Sequence, residues 1–202
     1  TLDTISREVL AAGTNVQYAE GQVTSRAALT PEMKLTVKAV KKAVRFLKKQ
    51  NAKKINGYYY GIVHPDCSYD LTEDARWIDA VKYKNPERIY NGEIGEIEGA
   101  RFVETTEAKI WAKAGAAKST SDTTKIDVYG TLIFGANAYA TTKIEGGGLK
   151  TIIKQLGSAG TGDPLDQRAT VGWKALKVTE ILTEAYMIRI ETASTFSDGE
   201  AN

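Results

Sequence analysis

The run Ala169-Thr-Val-Gly-Trp-Lys-Ala175, preceded by Leu156-Gly-Ser-Ala-Gly-Thr-Gly-Asp-Pro-Leu-Asp-Gln-Arg168, carries no constellation that performs chemistry. Gly157, Gly160, Gly162 and Pro164 punctuate a loop, and the aromatic-basic segment Val171 to Lys174 follows it as an extended strand. The stretch reads as shaped backbone that delivers a strand. After it, Thr170 to Leu182 and Ala185 to Glu191 are predicted as two antiparallel strands closing the fold. In the second, Tyr186, Ile188 and Ile190 oppose Met187 and Arg189 with a period of two.

Toward the N-terminus, Val128 to Phe134 is a strand signal, Ala136 to Ala140 a small-residue helical turn, and Gly146-Gly-Gly148 a flexible joint. Residues 112–125, rich in Ala, Lys, Ser and Thr, are predicted as a mobile surface loop. Residues 88–105 alternate and are broken by Gly92, Gly95 and Gly99, giving a strand, a turn and the strand Ala100 to Val103. Thr72 is read as the N-cap of a helix that buries Ala75, Trp77, Ile78 and Val81 and ends at Asn85-Pro86. Tyr58 to Val63 is read as a buried strand ending at Pro65.

Thr30 and Pro31 supply an N-cap and a first-turn proline for a long helix, Pro31 to Lys49. Met33, Val37, Val40, Val44 and Leu47 place five apolar side chains on one stripe, whose burial is worth about 8 to 15 kcal/mol at most. The rest of that helix and its tail carry Lys34, Lys38, Lys41, Lys42, Arg45, Lys48, Lys49, Lys53 and Lys54, nine cations over 21 residues. Base toward a helix C-terminus complements the dipole, and a solvated face is the bland reading. The same cations also raise the local potential and attract an anionic surface. A shorter amphipathic helix, with Leu2, Ile5, Val9 and Ala12 on its apolar face, precedes the stop signal at Gly13 and Asn15.

At 202 residues, with 42% hydrophobic and 26% charged residues, the chain can bury a core without staples. A single cysteine, Cys67, excludes an intramolecular disulfide and fits a reducing compartment. No window approaches the roughly 20 apolar residues of a membrane span, and no signal pattern opens the chain. Thr at position 1 points to proteolytic maturation or excision from something longer. Helices mixed with mostly antiparallel strands, and no regular strand-helix alternation, indicate an α+β fold.

Chemistry is hard to place on these residues. His64-Pro-Asp-Cys67 puts three ligand types within four positions, but Pro65 splays them and no further histidine exists; a strand-to-helix turn with a hydrogen-bonded imidazole is the structural reading. No Gly-x-Ser-x-Gly elbow is present, and the glycines of residues 156–162 match neither phosphate-cradling fingerprint. Glu93, Glu96, Glu98, Asp163 and Asp166 read as ordinary surface acids. No catalytic, cofactor-binding or metal-ligating residue is expected.

The segments Leu10-Ala-Ala-Gly-Thr-Asn-Val-Gln-Tyr-Ala19, Ser25-Arg-Ala-Ala-Leu-Thr30, Ile62-Val-His-Pro-Asp66, Tyr90-Asn-Gly-Glu93, Arg101-Phe-Val-Glu-Thr105, Tyr129-Gly-Thr-Leu-Ile-Phe-Gly135 and the glycine loop into Val171-Gly-Trp-Lys174 occur in one order. In that order they resemble the major capsid proteins of tailed bacteriophages of the N-four type. The resemblance implies a Hong Kong 97-type coat fold, with a long spine helix on an antiparallel sheet in a peripheral domain and a mixed α/β axial domain. It implies residues 1–65 as part of the peripheral domain with spine helix 31–49, residues 66–168 as the axial domain, and residues 169–202 as strands returning to the peripheral domain.

It further implies a structural, non-enzymatic subunit without cofactors, made in the bacterial host cytoplasm, that assembles as pentamers and hexamers into the icosahedral head of a phage or prophage. Its expected partners are copies of itself, packaged double-stranded DNA bound without sequence preference, and scaffold and portal proteins; no membrane is expected. Lys34, Lys38, Lys41, Lys42, Arg45, Lys48 and Lys49 are the candidate DNA-facing residues. Gly157, Gly160, Gly162, Asp163 and Arg168 form the candidate self-assembly loop. Family members carry an N-terminal arm and an extended loop ahead of the first matched segment. This chain starts too late to hold both, so weak assembly, as a monomer or small oligomer, is expected. An encapsulin-like cargo shell protein and a small basic nucleic-acid-binding domain are the alternatives.

Overall fold

The computed structural model of the protein describes residues 2–84, 95–142, 147–158, 162, 165 and 167–196. Its centre is β6 (Val128–Phe134), every residue of which is buried. This strand pairs antiparallel with β11 (Met187–Thr192) on one side and with β2 (Tyr59–Val63) on the other. Beyond β11 lies β1 (Val16–Tyr18), in parallel register; beyond β2 lies β4 (Ala100–Glu104), also parallel, and then β3 (Glu96–Ile97). A short β5 (Ile110–Trp111) extends the pairing of β6. The sheet is therefore mixed rather than antiparallel. Ala185 to Glu191 also does not pair with the strand before it, because β6 takes one edge of β11 and β1 takes the other.

Apolar stripes explain the two layers on the sheet. Helix α2 (Val37–Lys49) buries Val37, Val40, Val44 and Leu47 against Ile188, Ile190, Tyr129 and Ile133. It starts at Val37 and not at Pro31. The Thr36 hydroxyl accepts the Ala39 N–H at 3.2 Å as the true N-cap, while Lys34 bridges to Ala193 and holds the preceding residues extended. Met33, the fifth member of the predicted stripe, packs instead with Ala19, Leu29 and Val128.

Two helices follow β2 where one was expected. Pro65 opens α3 (Pro65–Thr72), whose Cys67 and Leu71 are fully buried, and α4 (Ala75–Lys84) buries Trp77. Proline suits a first helical turn because its missing N–H has no partner to lose there. The opposite sheet face receives α1 (Leu2–Ala11). That helix buries Arg7, Leu10 and Ala11, with Leu10 packed against Leu132, Phe134 and Met187, while Ile5 is exposed.

Among the described residues, four strands between residues 139 and 181 form a two-stranded arm on this body. At its root β7 (Tyr139–Thr141) pairs with β10 (Thr179–Ile181), so the small-residue turn expected at 136–140 ends as a strand. Farther out β8 (Lys150–Lys154) pairs with β9 (Thr170–Lys174), and bonds from Thr142 N–H to Val178 O and from Leu176 N–H to Gly147 O join the two ladders. Residues 112–125 are tied to the body by Lys113 N–H to Asp127 Oδ1, Ala116 N–H to Leu29 O and the paired bonds of Gly115 and Ala116 with Ile126, and are closed on themselves by a bridge between Ala117 and Lys125. Asn85-Pro86, residues 88–94, Gly146, Gly160 and Asp163 lie outside the described residues.

Candidate association and basic surfaces

The arm exposes what a sequence pattern assigns to a core. Every residue of β8 and β9 is exposed, including Ile153 at 65%, Val171 at 76% and Trp173 at 60%. The pleat sorts them. Thr151 faces Trp173 and Ile153 faces Val171 on one side; Lys150 faces Lys174 and Lys154 faces Thr170 on the other, with Ile152 opposite Gly172. One side is apolar and the other cationic. An isolated two-stranded ribbon is marginal in water, and exposed apolar side chains gathered on one face mark an interaction surface.

The root of the arm is held firmly. Ser6 and Thr179 share a hydroxyl hydrogen bond at 2.8 Å, and Lys177 Nζ meets Asp3 Oδ1 at 2.9 Å. A cavity of about 290 Å³ lies beneath α1 there, lined among others by Leu10, Ile62, Leu132 and Tyr139. Of the predicted assembly loop, Gly157, Gly162 and Arg168 sit exposed toward the tip; Gly157 has φ of 80°, which favours glycine.

The basic residues are only partly brought together. Lys38, Lys41, Lys42, Arg45, Lys48 and Lys49 are exposed along α2, but Lys34 lies outside the helix and is half-buried. Carboxylates the sequence spacing did not reveal temper this face. Glu20 takes Lys38 at 2.5 Å, Glu98 meets Lys41 at 3.5 Å, and Lys42 donates to the Glu20 carbonyl. The Lys38 ammonium holds the Glu20 carboxyl below its usual range. Beside this face, between α2 and the outer strand β1, runs a groove of about 690 Å³ whose walls include Val16, Tyr18, Phe46, Lys42 and Arg45.

His64 is a structural cap. Its Nδ1 accepts the Asp66 N–H at 3.2 Å at the start of α3, its ring tilts against Tyr129 at 5.3 Å, and burial pushes its pKa down. Burial likewise pushes the Cys67 thiol far up, so it is no nucleophile at neutral pH. Among the described residues no three His, Cys, Asp or Glu side chains gather as a metal site, and no helix is long and apolar enough to cross a membrane.

Sequence reasoning missed a buried charge cluster. Glu191, wholly buried, receives Arg26 through two hydrogen bonds and Arg189 through a third at 2.8 Å; the Arg26 guanidinium lies 3.8 Å from the centre of the Trp111 ring. Gly130 permits this, since a Cβ there would meet the Trp111 ring at 2.9 Å. Arg189 and Glu191, two residues apart within an apolar strand, are the signal that could have found it.

A family model described as phage capsid protein matches residues 4–156. No curated protein matches the sequence. Among solved structures, the fold is similar to the capsid of Ralstonia phage GP4, with a TM-score of 0.63 at 15% identity over 93% of this chain and 54% of that one. It is similar to the acid-stable capsid of Helicobacter pylori bacteriophage KHP30, with 0.63 at 12% identity over 95% of this chain and 64% of that one. The capsid of Cyanophage Pam1 gives 0.64 at 10% identity over 89% and 54%. At these identities the likeness establishes a shared α+β fold, and the chain spans less than two thirds of each structure's length.

Proposed function

The chain belongs to the phage capsid protein family, and on that premise we propose that it acts as a structural major capsid subunit of a tailed double-stranded DNA phage, associating with its own copies into the pentamers and hexamers of an icosahedral head. The observation that carries this reading is the arm, because an apolar ribbon face held out from a firmly packed body is stabilised only when a second surface covers it. Its capsid surroundings would be the virion, after synthesis in the host cytoplasm. Helix α2 takes the part of the spine helix. The boundaries expected at residues 65/66 and 168/169 would run through one sheet, because β6 pairs with both β2 and β11, so no division into peripheral and axial domains is proposed at them. Packaged DNA against Lys38, Lys41, Lys42, Arg45, Lys48 and Lys49, and scaffold and portal proteins as transient partners, complete the proposal.

The test is sedimentation with negative-stain microscopy over a concentration series, on the wild-type protein and on a Val171→Ser, Trp173→Ser variant. Weak, concentration-dependent association of the wild type into small oligomers, and a variant that stays monomeric with an unchanged melting temperature, are the expected result. A wild-type protein that stays monomeric throughout the series would overturn the reading.

A further inference from the structure

Among the described residues the central sheet ends in β1 on one side and β3 on the other with no further strand paired to either, and the charges at the two edges differ in sign. At one edge stands β1. Asn15 O and Ala19 N–H are spent on β11, so in the alternation of a parallel ladder Val16 turns its N–H and C=O outward and Tyr18 its N–H, while the Tyr18 carbonyl accepts the Gly21 N–H at 2.7 Å. The groove along that edge is walled on the helix side by Lys42 and Arg45. Arg45 is exposed and has no carboxylate partner among the described residues. At the other edge stands β3, where the Phe102 N–H bonds Gly95 O and the next pair, Glu96 opposite Arg101, leaves the Glu96 backbone facing out. The Glu96 side chain is exposed, and Glu98 follows in the turn, loosely paired with Lys41 at 3.5 Å.

In this open sheet the two edges stand at opposite ends of the strand order, so pairing between them requires a second copy. We infer that the β1 edge of one copy receives the β3 edge of a second copy, head to tail, with Glu96 and Glu98 set against Lys42 and Arg45 of the groove. Main-chain bonds of strand addition supply the register and the opposed charges supply the direction. Because the two contacting surfaces differ, the association is heterologous, and such contacts generate rings when the rotation closes. This rests on the self-association proposed above and names its surface; the arm, whose exposed ribbon carries cations, does not suit a groove walled by Lys42 and Arg45. The competing explanation of the edge charges is protection, since charged residues commonly guard open strands against pairing.

The experiment uses cysteines at the two edges. The native Cys67 is buried and stays out of the reaction. The Val16→Cys, Glu96→Cys double variant is assembled, oxidised and run on a non-reducing denaturing gel. A ladder of dimers, trimers and higher species is expected, with monomer alone from each single variant and dimer alone from their mixture. A dimer from either single variant by itself would show an edge meeting its own kind and overturn the inference. So would an unlinked double variant in a preparation that sedimentation shows to be assembled, an outcome that leaves the capsid role standing. A wild type that never assembles removes both. Independently, Lys42→Glu with Arg45→Glu should reduce assembly at least tenfold, and adding Glu96→Lys with Glu98→Lys should restore it; assembly indifferent to both changes favours protection and overturns the inference.

Discussion

Arg26 and Glu191 meet through two hydrogen bonds, Nε to Oε2 at 2.7 Å and Nη2 to Oε1 at 2.8 Å, across 165 residues of chain. Glu191 also accepts from Arg189, whose Nη1 donates in turn to the carbonyls of Ala11 and Gly13 at the end of α1. The cluster therefore ties β11 to both N-terminal segments. Removing the shared carboxylate leaves the buried Arg189 without its counter-charge, so Glu191→Ala should cost about 3 to 5 kcal/mol. Arg26→Ala should cost less, because Arg26 is about one-third exposed and Arg189 still holds Glu191. Urea midpoints would check the order, and an equal or reversed ranking would refute it.

Asp74 serves two helices at once. Its Oδ2 accepts the Val37 N–H at the start of α2, and its Oδ1 accepts the Arg76 N–H at the start of α4. Each helix start has unsatisfied N–H groups and a positive dipole end. Asp74→Ala should cost about 2 kcal/mol, against about 1 kcal/mol for the single cap lost in Thr36→Ala. Equal midpoints for the two variants would contradict the double role.

Much of the body could be read from local pattern, and the departures have definite causes. Val128 to Phe134 and Tyr59 to Val63 were readable because β-branched and aromatic runs bounded by turns have few alternatives. The start of α2 was misplaced because Met33 continues the helical spacing, while the cap at Thr36 and the bridge from Lys34 to Ala193 depend on chain far away. Helix α3 was missed although Pro65 and Asp66 are first-turn residues, since the same proline also ends a strand. The arm was legible as strand but not as exposed, because Ile153, Val171 and Trp173 alternate as core residues do. Periodicity shows that a face is apolar and is silent about which molecule covers it.

Acid should loosen the His64 cap. Burial lowers the folded-state pKa of His64 below its ordinary value near 6.5, although the Asp66 and Glu104 carboxylates pull it back up. Below that value the unfolded chain binds the proton more readily than the folded one, so this contribution is complete above about pH 6.5 and is lost as pH falls toward the folded pKa. His64→Asn keeps an oxygen acceptor for the Asp66 N–H and removes the titration. The variant should lose less stability than the wild type between pH 7 and pH 5. Parallel midpoint curves for the two proteins would refute this.

Contact between α2 and DNA should show in the salt dependence. Lys41, Lys42, Lys48 and Lys49 are exposed, and cations that neutralise phosphates release counterions, so affinity falls with added salt by an exponent of about 0.9 per phosphate. Changing all four to glutamine should weaken binding to duplex DNA at every sequence and flatten the slope of log affinity against log salt by about 2 to 4. An unchanged slope would place the DNA elsewhere.

Lys150 and Lys174 stand directly opposite each other in the outer ladder of the arm, and like charges in that position oppose strand pairing. In the unassembled protein this repulsion acts on a ribbon with no packed face. Lys150→Glu turns the pair into an attraction and should strengthen it by about 0.2 to 1 kcal/mol. Since local opening sets amide exchange, protection of the hydrogen-bonded amides of β8 and β9 should rise about 1.4- to fivefold in the variant while the β6 amides stay as they were. The core clusters of the body take Tyr139 and Ile181 from the root of the arm but nothing from the outer ladder of β8 and β9, so its urea midpoint should also hold. Protection that fell in the arm, or rose equally in β6, would mean that the two strands are held by something other than their own ladder.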